Sequence, residues 1–562
     1  MLNIVIFLNA AHQRRYVDIL NSALSGLKDV RVLAVDTSAD KELSQEAAQQ
    51  SLIARVMSLK AVQLVAIFIG ATFYIPYAGI RMLQELYRRH IDRHLRQVAR
   101  SVVRGMRHRA LCLPVRTIVA MLQKSLAGMK RSISHGISLL SSPPRAAARY
   151  IWYHGARSAL GFIYRHLACA LRTYRRRSFL YSAFSEVRWQ RYLDKRLFSL
   201  KPDLVVLLED NAEGLTGLVS HGSRRRSIPC VILPDYLPNP AEPARYYFND
   251  PLHSADTLPG RLARRFAPEW MLEYDGKRLL RLPANAIMVQ LMRGRQSPQP
   301  WILNAGYTDA ILVESKASLR HYGHLGFKLE KLRVIGGAID DMLHAIQIER
   351  DQRRQELNSK YEFDPAKPLI VCSFPPDQYT AATEGFEFKT YGDLCRAWFE
   401  ALAGVSGRTN IIVVRHPRTK ASELSRYATG GVQIATETLE SILPVADLYV
   451  ACISTTIRWA LALAIPVINY DTYRYDYGDF SKANACSEVT RFDAFREELE
   501  RMLQPGELNR LSVVAREDAN EWGSVDGKFR TRLRGSLLEI CDTYKGPSGS
   551  THREGFRLHD VA

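Results

Sequence analysis

Four consecutive residues, Arg415-His416-Pro417-Arg418, place an imidazole between two guanidinium groups in a turn stiffened by proline. Donors of this kind stabilise negative charge on a departing phosphate or diphosphate. The plainer reading is a strand-ending turn with surface arginines. A second cluster, Ser454-Thr455-Thr456, precedes a largely apolar helix, so three hydroxyls and free backbone N–H groups gather at a helix start. That arrangement suits an anion, and simple N-capping is compatible with it. A third cluster, Glu209-Asp210, follows a run of apolar residues. A carboxylate there could act as a general base, or it could cap the next helix. Ser373, at the end of another apolar run, joins the phosphate-side candidates, and His12 joins Glu209 as an acceptor-side candidate. The chain has no D-x-D triplet, so no metal is expected to carry the phosphates. Arginines and helix dipoles would take its place, and no cofactor is expected.

These clusters need strands to position them. Residues 4–8, 30–35, 203–208 and 230–233 are short apolar, β-branched runs, each followed by a polar loop and a helical pattern. Residues 310–313, 332–335, 369–373, 411–414, 448–451 and 467–470 repeat the theme. Strands alternating with helices predict parallel sheets covered on both faces. The expected fold class is α/β with two Rossmann-like domains. Residues 1–300 would form an N-terminal acceptor domain, interrupted at about 50–200. Residues 301–544 would form a C-terminal nucleotide-binding domain, including a charged linker helix at about 340–360, and 545–562 a loose tail. In open parallel sheets, ligands bind beyond the carboxyl ends of the strands, where all three clusters fall.

The interruption carries the charge. The chain has 562 residues and a net charge of +20. Residues 81–200 hold 25 Lys/Arg against four acids, which leaves the rest of the chain near neutrality. Such a segment should meet an anionic surface. Residues 61–80 are uncharged for twenty positions, long enough to span a bilayer, yet Gln63, Gly70, Thr72, Tyr74, Pro76, Tyr77 and Gly79 weaken the hydropathy. Residues 87–109 read as a basic amphipathic helix with Ile91, Leu95, Val98 and Val102 on one stripe. Residues 149–177 interleave aromatics with arginine, which suits a lipid–water interface. Interfacial docking on an anionic membrane is the expectation. A membrane span or hairpin at 61–80 is the alternative, and no nucleic-acid motif is present. The eight cysteines are scattered without C-x-x-C or zinc spacing, which fits reduced thiols and a cytoplasmic setting. The first residues read as a β-strand rather than a signal peptide.

The segment from Asp309 to His344 resembles the domain junction of a group of bacterial surface-polysaccharide enzymes. The RHPR tetrapeptide, followed by VADLYVACISTTIRWALALAIPVINYD, resembles the nucleotide-binding half of that group. It includes CDP-glycerol glycerophosphotransferases, capsule Kdo transferases and bacterial sialyltransferases, which share the GT-B architecture. The resemblance implies that His416, Pro417, Ser454 and Thr455 bind nucleotide phosphates. The sialyltransferases also carry an acidic pair followed by glycine. Here Glu209-Asp210 is present, but the glycine is delayed to Gly214. The run PDLVVLLEDNAEG is similar to a strand of UDP-N-acetylglucosamine 2-epimerases.

Together these readings predict a glycosyltransferase or phosphoglycerol-type transferase. It would move a group from a CMP-, CDP- or UDP-linked donor to a glycan or lipid-linked acceptor at the cytoplasmic membrane face. Arg415, His416, Arg418, Ser454, Thr455 and Thr456 would hold the departing phosphate, and Asp210 would take the acceptor proton if the reaction inverts. A nucleotide-sugar 2-epimerase and a non-catalytic membrane-bound assembly factor are the competing readings.

Overall fold

The computed structural model describes residues 2–8, 11–27, 29–37, 179–234, 237–378, 386–416, 418–476 and 480–545. The segments expected to meet the membrane, 61–80, 87–109 and 149–177, lie outside these residues, as does 546–562. Among the described residues no helix is long and apolar enough to cross a membrane.

The strands form two six-stranded sheets and one hairpin. The first sheet contains β1 (Leu2–Leu8), β2 (Val30–Asp36), β3 (Leu204–Leu207), β4 (Cys230–Ile232), β7 (Ala310–Val313) and β8 (Leu332–Val334), in the order β2-β1-β3-β4-β7-β8. From β1 to β8 its pairs are parallel. The second contains β9 (Leu369–Phe374), β10 (Asn410–Arg415), β11 (Val432–Ile434), β12 (Leu448–Ala451), β13 (Val467–Tyr470) and β14 (Cys486–Val489), in the order β11-β10-β9-β12-β13-β14 and parallel throughout. The hairpin pairs β5 (Met271–Tyr274) with β6 (Lys277–Leu280). The α/β class with two Rossmann-like sheets, expected from the alternating pattern, is the fold observed.

Alternation within β9 explains why its apolar run is unbroken. Leu369 and Val371 enter the core on one face, while Ile370, Cys372 and Phe374 enter the core on the other. A strand covered on both faces has no solvent side on which to place polar residues. The first sheet is closed by the helix Arg15–Ala23 and by the helix Phe529–Lys545 at the far end of the chain. Phe529, Leu533 and Leu537 of the latter pack with Ile4, Ile6 and Leu204.

Three assignments differ from the sequence reading. Strands β7 and β8, expected to open the second half, extend the first sheet. Asp309 fixes this register, because its Oδ2 accepts the Cys230 N–H at 2.8 Å and its own N–H donates to the Cys230 carbonyl at 2.7 Å. The linker helix expected at 340–360 is two helices, Asp340–Ile348 and Arg350–Tyr361, broken at Glu349. Strands β11 and β14 and the β5–β6 hairpin had no expectation, being three or four residues long and of mixed polarity. Among the described residues, 179–196 and 247–296 belong to one unit, while 2–35, 197–246 and 297–545 belong to another that contains both sheets. Within the former, the helix Phe179–Arg196 is tied to the later segment by Glu186, whose carboxylate receives Arg295 at 2.8 and 3.0 Å.

Candidate functional site

The strand order of each sheet reverses direction once. In the first sheet the chain moves outward from β1 to β2 on one side and from β3 onward on the other. In the second the reversal falls between β9 and β12. Loops at such a switch point diverge and leave a crevice beyond the carboxyl ends of the strands. The expected site residues lie at or follow the carboxyl ends of the strands. His12 lies in the turn Ala11–Arg14 after β1, and Glu209-Asp210 follow β3. Ser373 lies near the end of β9, Ser454-Thr455-Thr456 follow β12, and His416 follows β10, the neighbour of β9. Pro417 lies outside the described residues. Arg15, at the start of the helix after His12, reaches Glu440 of the helix Leu439–Ile442 at 3.9 Å.

At the second sheet, backbone contacts fix the imidazole. His416 Nδ1 accepts the N–H of Arg418 at 3.1 Å, and the His416 carbonyl accepts the N–H of Thr419 at 2.8 Å. A ring nitrogen that accepts a backbone N–H carries no proton, so in the neutral ring the proton sits on Nε2. Burial lowers the histidine pKa, and the Arg418 charge lowers it further. The imidazole is therefore favoured in its neutral form, with Nε2–H as a donor. Arg415 turns its Nη1 to the Thr419 carbonyl at 3.1 Å, closing the same turn.

The loop after β12 is held in an unusual form. Ile453 has φ +36°, a left-handed value that a β-branched side chain rarely adopts. Such strain persists only where the surroundings over-determine the conformation, as they commonly do at ligand sites. Here Asn469 of β13 accepts the Ile453 N–H at 2.9 Å. The hydroxyls of Ser454 and Thr456 lie 2.7 Å apart, and that of Thr456 also meets Tyr449 of β12. Thus Tyr449, Ser454 and Thr456 form one network, with Thr456 largely engaged in holding it. The Thr455 side chain is exposed, and among the described residues neither the Ser454 nor the Thr455 N–H has a partner. These two amides, the Thr455 hydroxyl and His416 Nε2 are donors available to an anion. Among the described residues no group of three or more His, Cys, Asp or Glu could hold a metal.

The first sheet's edge is built differently. Asp210 is 3% exposed, and its Oδ2 accepts the Tyr307 N–H at 3.1 Å. Its backbone exchanges two bonds with Asn304, each 2.8 Å, and the Asn304 amide donates to Tyr322 at 2.7 Å. Gly306 presses on the carboxylate closely enough that a Cβ would overlap Asp210 Oδ2. Asp210 therefore pins the segment 304–307 over the end of β3. Glu209 is also buried.

Beneath the second edge lies a buried ion cluster. Arg458, on the helix Thr456–Ala462, pairs with Glu314 at 2.8 Å and with Asp340 at 3.1 Å, and donates to the Trp522 carbonyl at 3.3 Å. Asp340 also accepts the Gly337 N–H at 2.7 Å. The sequence reading missed Ile453, Tyr449, Asn469 and Arg458. Only Asn469 carried a visible signal, a polar residue inside the apolar strand Val467–Tyr470.

No protein-family model and no curated protein matches the sequence. Among solved structures, the chain is similar to the UDP-GlcNAc 2-epimerase of Neisseria meningitidis bound to UDP-GlcNAc. The identity is 12% and the TM-score 0.38, over 64% of this chain and 82% of that one. It is also similar to the MnaA–UDP structure of S. aureus, at 12% identity and a TM-score of 0.43 over 96% and 97%. A third similar structure is the wall teichoic acid polymerase TagF, at 13% identity and a TM-score of 0.31 over 42% and 59%.

Proposed function

We propose that the protein is a transferase that uses a nucleotide-activated sugar, or a nucleotide-activated polyol phosphate, as donor and works at the cytoplasmic face of a membrane. The observation that carries this reading is the placement of the donor groups. Ser373 and the loop 452–456 flank the switch point of the second sheet, and His416 stands on the adjacent strand. In this reading the nucleotide's phosphates lie against the Ser454 and Thr455 amides and His416 Nε2. Charge that develops on the leaving phosphate is met by donors already fixed in place, which costs no reorganisation during transfer. Arg415 and Arg418 add positive potential at the same turn. The acceptor is a glycan or lipid-linked glycan on the side of His12, Glu209 and Asp210. If the reaction inverts the anomeric centre, Asp210 takes the acceptor proton. The basic segment 81–200 keeps the enzyme near its acceptor by attraction to anionic lipid.

A thermal-shift screen with CMP, CDP and UDP tests the donor reading, because a ligand bound only by the folded state raises the melting temperature. At least one nucleotide is expected to raise it by several degrees at about a hundred times its Kd. Absence of a shift with all three at millimolar concentration would remove the reading. For the membrane, binding should require anionic vesicles and weaken as salt rises. Equal binding to neutral and anionic vesicles at low and high salt would contradict electrostatic docking.

A further inference from the structure

We infer that Asn469 and Glu488 are positioning residues, which hold the 452–455 loop in the conformation that receives the donor's phosphate. The inference rests on the nucleotide reading above and names the part of the fold that builds its anion site.

Asn469 is fully buried in the strand Val467–Tyr470, among apolar neighbours. A buried amide is costly unless its donor and acceptor are both engaged. Both are. Its Oδ1 accepts the Ile453 N–H at 2.9 Å, and its Nδ2 donates to Glu488 Oε1 at 3.1 Å. Glu488 stands directly opposite Asn469 in the β13–β14 register. The backbone ladder pairs these strands without help from either side chain, so the amide is not needed to form the sheet. What it does is seize one loop N–H. Ile453, whose φ of +36° is unfavourable for a β-branched residue, is the residue seized. Among the described residues the next two amides, of Ser454 and Thr455, have no protein partner. Glu488 orients the Asn469 amide by taking its N–H, so that the oxygen rather than the nitrogen faces Ile453. Without Glu488 the amide could flip and present a donor to a donor.

Calorimetric titration of CMP, CDP and UDP into the full-length protein, with melting temperatures in parallel, tests the assignment. Asn469→Leu keeps the shape and removes both bonds. It should weaken the nucleotide that binds wild type by about tenfold or more, the loss expected when a buried donor loses its partner. Asn469→Asp places two carboxylates together and should weaken binding as well. Combining Asn469→Asp with Glu488→Gln restores the pattern, since the aspartate still accepts the Ile453 N–H and the glutamine amide now donates to its second oxygen. The pair should regain affinity to within about threefold of wild type. A purely structural role would not yield recovery of affinity specific to this swap at an unchanged melting temperature. If Asn469→Leu does not fold, the contrast between Asn469→Asp and the pair carries the test. Wild-type affinity in Asn469→Leu or Asn469→Asp, or no recovery in a folded pair, overturns the inference while leaving the nucleotide reading in place. Failure of all three nucleotides to bind wild type overturns that reading, and the inference with it.

Discussion

The two sheets carry their candidate residues on the same kind of edge, but they hold them in opposite ways. At the first sheet, Asp210 is buried and accepts a backbone N–H, and its main chain is bonded twice to Asn304. At the second, Ile453 is strained and Thr455 is exposed, while His416 is bonded through one ring nitrogen. One edge satisfies its own polar groups. The other spends its bonds on fixing its loops, and among the described residues the Ser454 and Thr455 amides have no protein partner. Equivalent positions in two Rossmann-like sheets therefore need not be equivalent sites. In the proposed function the edge whose Ser454 and Thr455 amides are unpartnered among the described residues receives the donor's phosphate, and the edge with the secured carboxylate receives the acceptor.

The largest expected effect falls beneath the second edge. Arg458→Met would leave Asp340, which is fully buried, without its counter-ion. Breaking a buried pair in this way costs about 3–5 kcal/mol, read as a fall in the chemical denaturation midpoint. A variant as stable as wild type would show that the cluster does not support the helix Thr456–Ala462.

The next effect concerns chemistry at the first edge. Asp210→Asn keeps the size and the oxygen that accepts the Tyr307 N–H. If Asp210 is the base, turnover should fall by about 100-fold or more while the fold persists. A change confined to acceptor affinity would make Asp210 a binding residue instead.

A smaller effect follows from the strain. Ile453→Gly removes the steric cost of the left-handed backbone at the expense of chain entropy and a side chain packed against the core. Its effect on stability should stay within about 1 kcal/mol, below the usual cost of truncating a core isoleucine. A loss of several kcal/mol would mean that the φ value of Ile453 stores little strain.

The smallest effect is on pH dependence. Burial holds the His416 pKa below its ordinary value, so the folded state binds this proton less readily than the unfolded chain. His416 therefore costs no stability above the unfolded pKa of about 6.5 and destabilises the fold progressively as pH falls below it. In His416→Gln that contribution to the acid slope should be absent, as measured by melting temperature from pH 7.5 to 5. An identical slope in both proteins would show that the ring is not held neutral by the fold.

The parts of this comparison that were legible in the sequence are those written in short, local patterns. The core strands announced themselves through unbroken apolar runs, and the polar residues that end them marked the sheet edges. Glu209-Asp210 and RHPR were visible because they interrupt those runs abruptly. The strands at 432–434 and 486–489 were not, since three or four residues of mixed polarity show no period. The assignment of β7 and β8 to the first sheet depends on the pairing of Val231 with Ala310, between residues far apart in the chain. Nor could local sequence reveal that Arg458 meets Asp340 across 118 positions, or that Asn469 reaches back to Ile453. Contacts of that kind exist only after the topology is known.

The central claim is that the second edge binds the nucleotide and the first does not. Titration of the nucleotide that stabilises the wild-type protein into His416→Ala and Asp210→Asn tests it directly. His416→Ala, folded and with a melting temperature near wild type, should bind at least about tenfold more weakly, as expected for loss of a hydrogen bond to a charged group. Asp210→Asn should bind within about twofold of wild type, as expected for a change remote from the ligand. The reverse result, with affinity kept in His416→Ala and lost in Asp210→Asn, would contradict it.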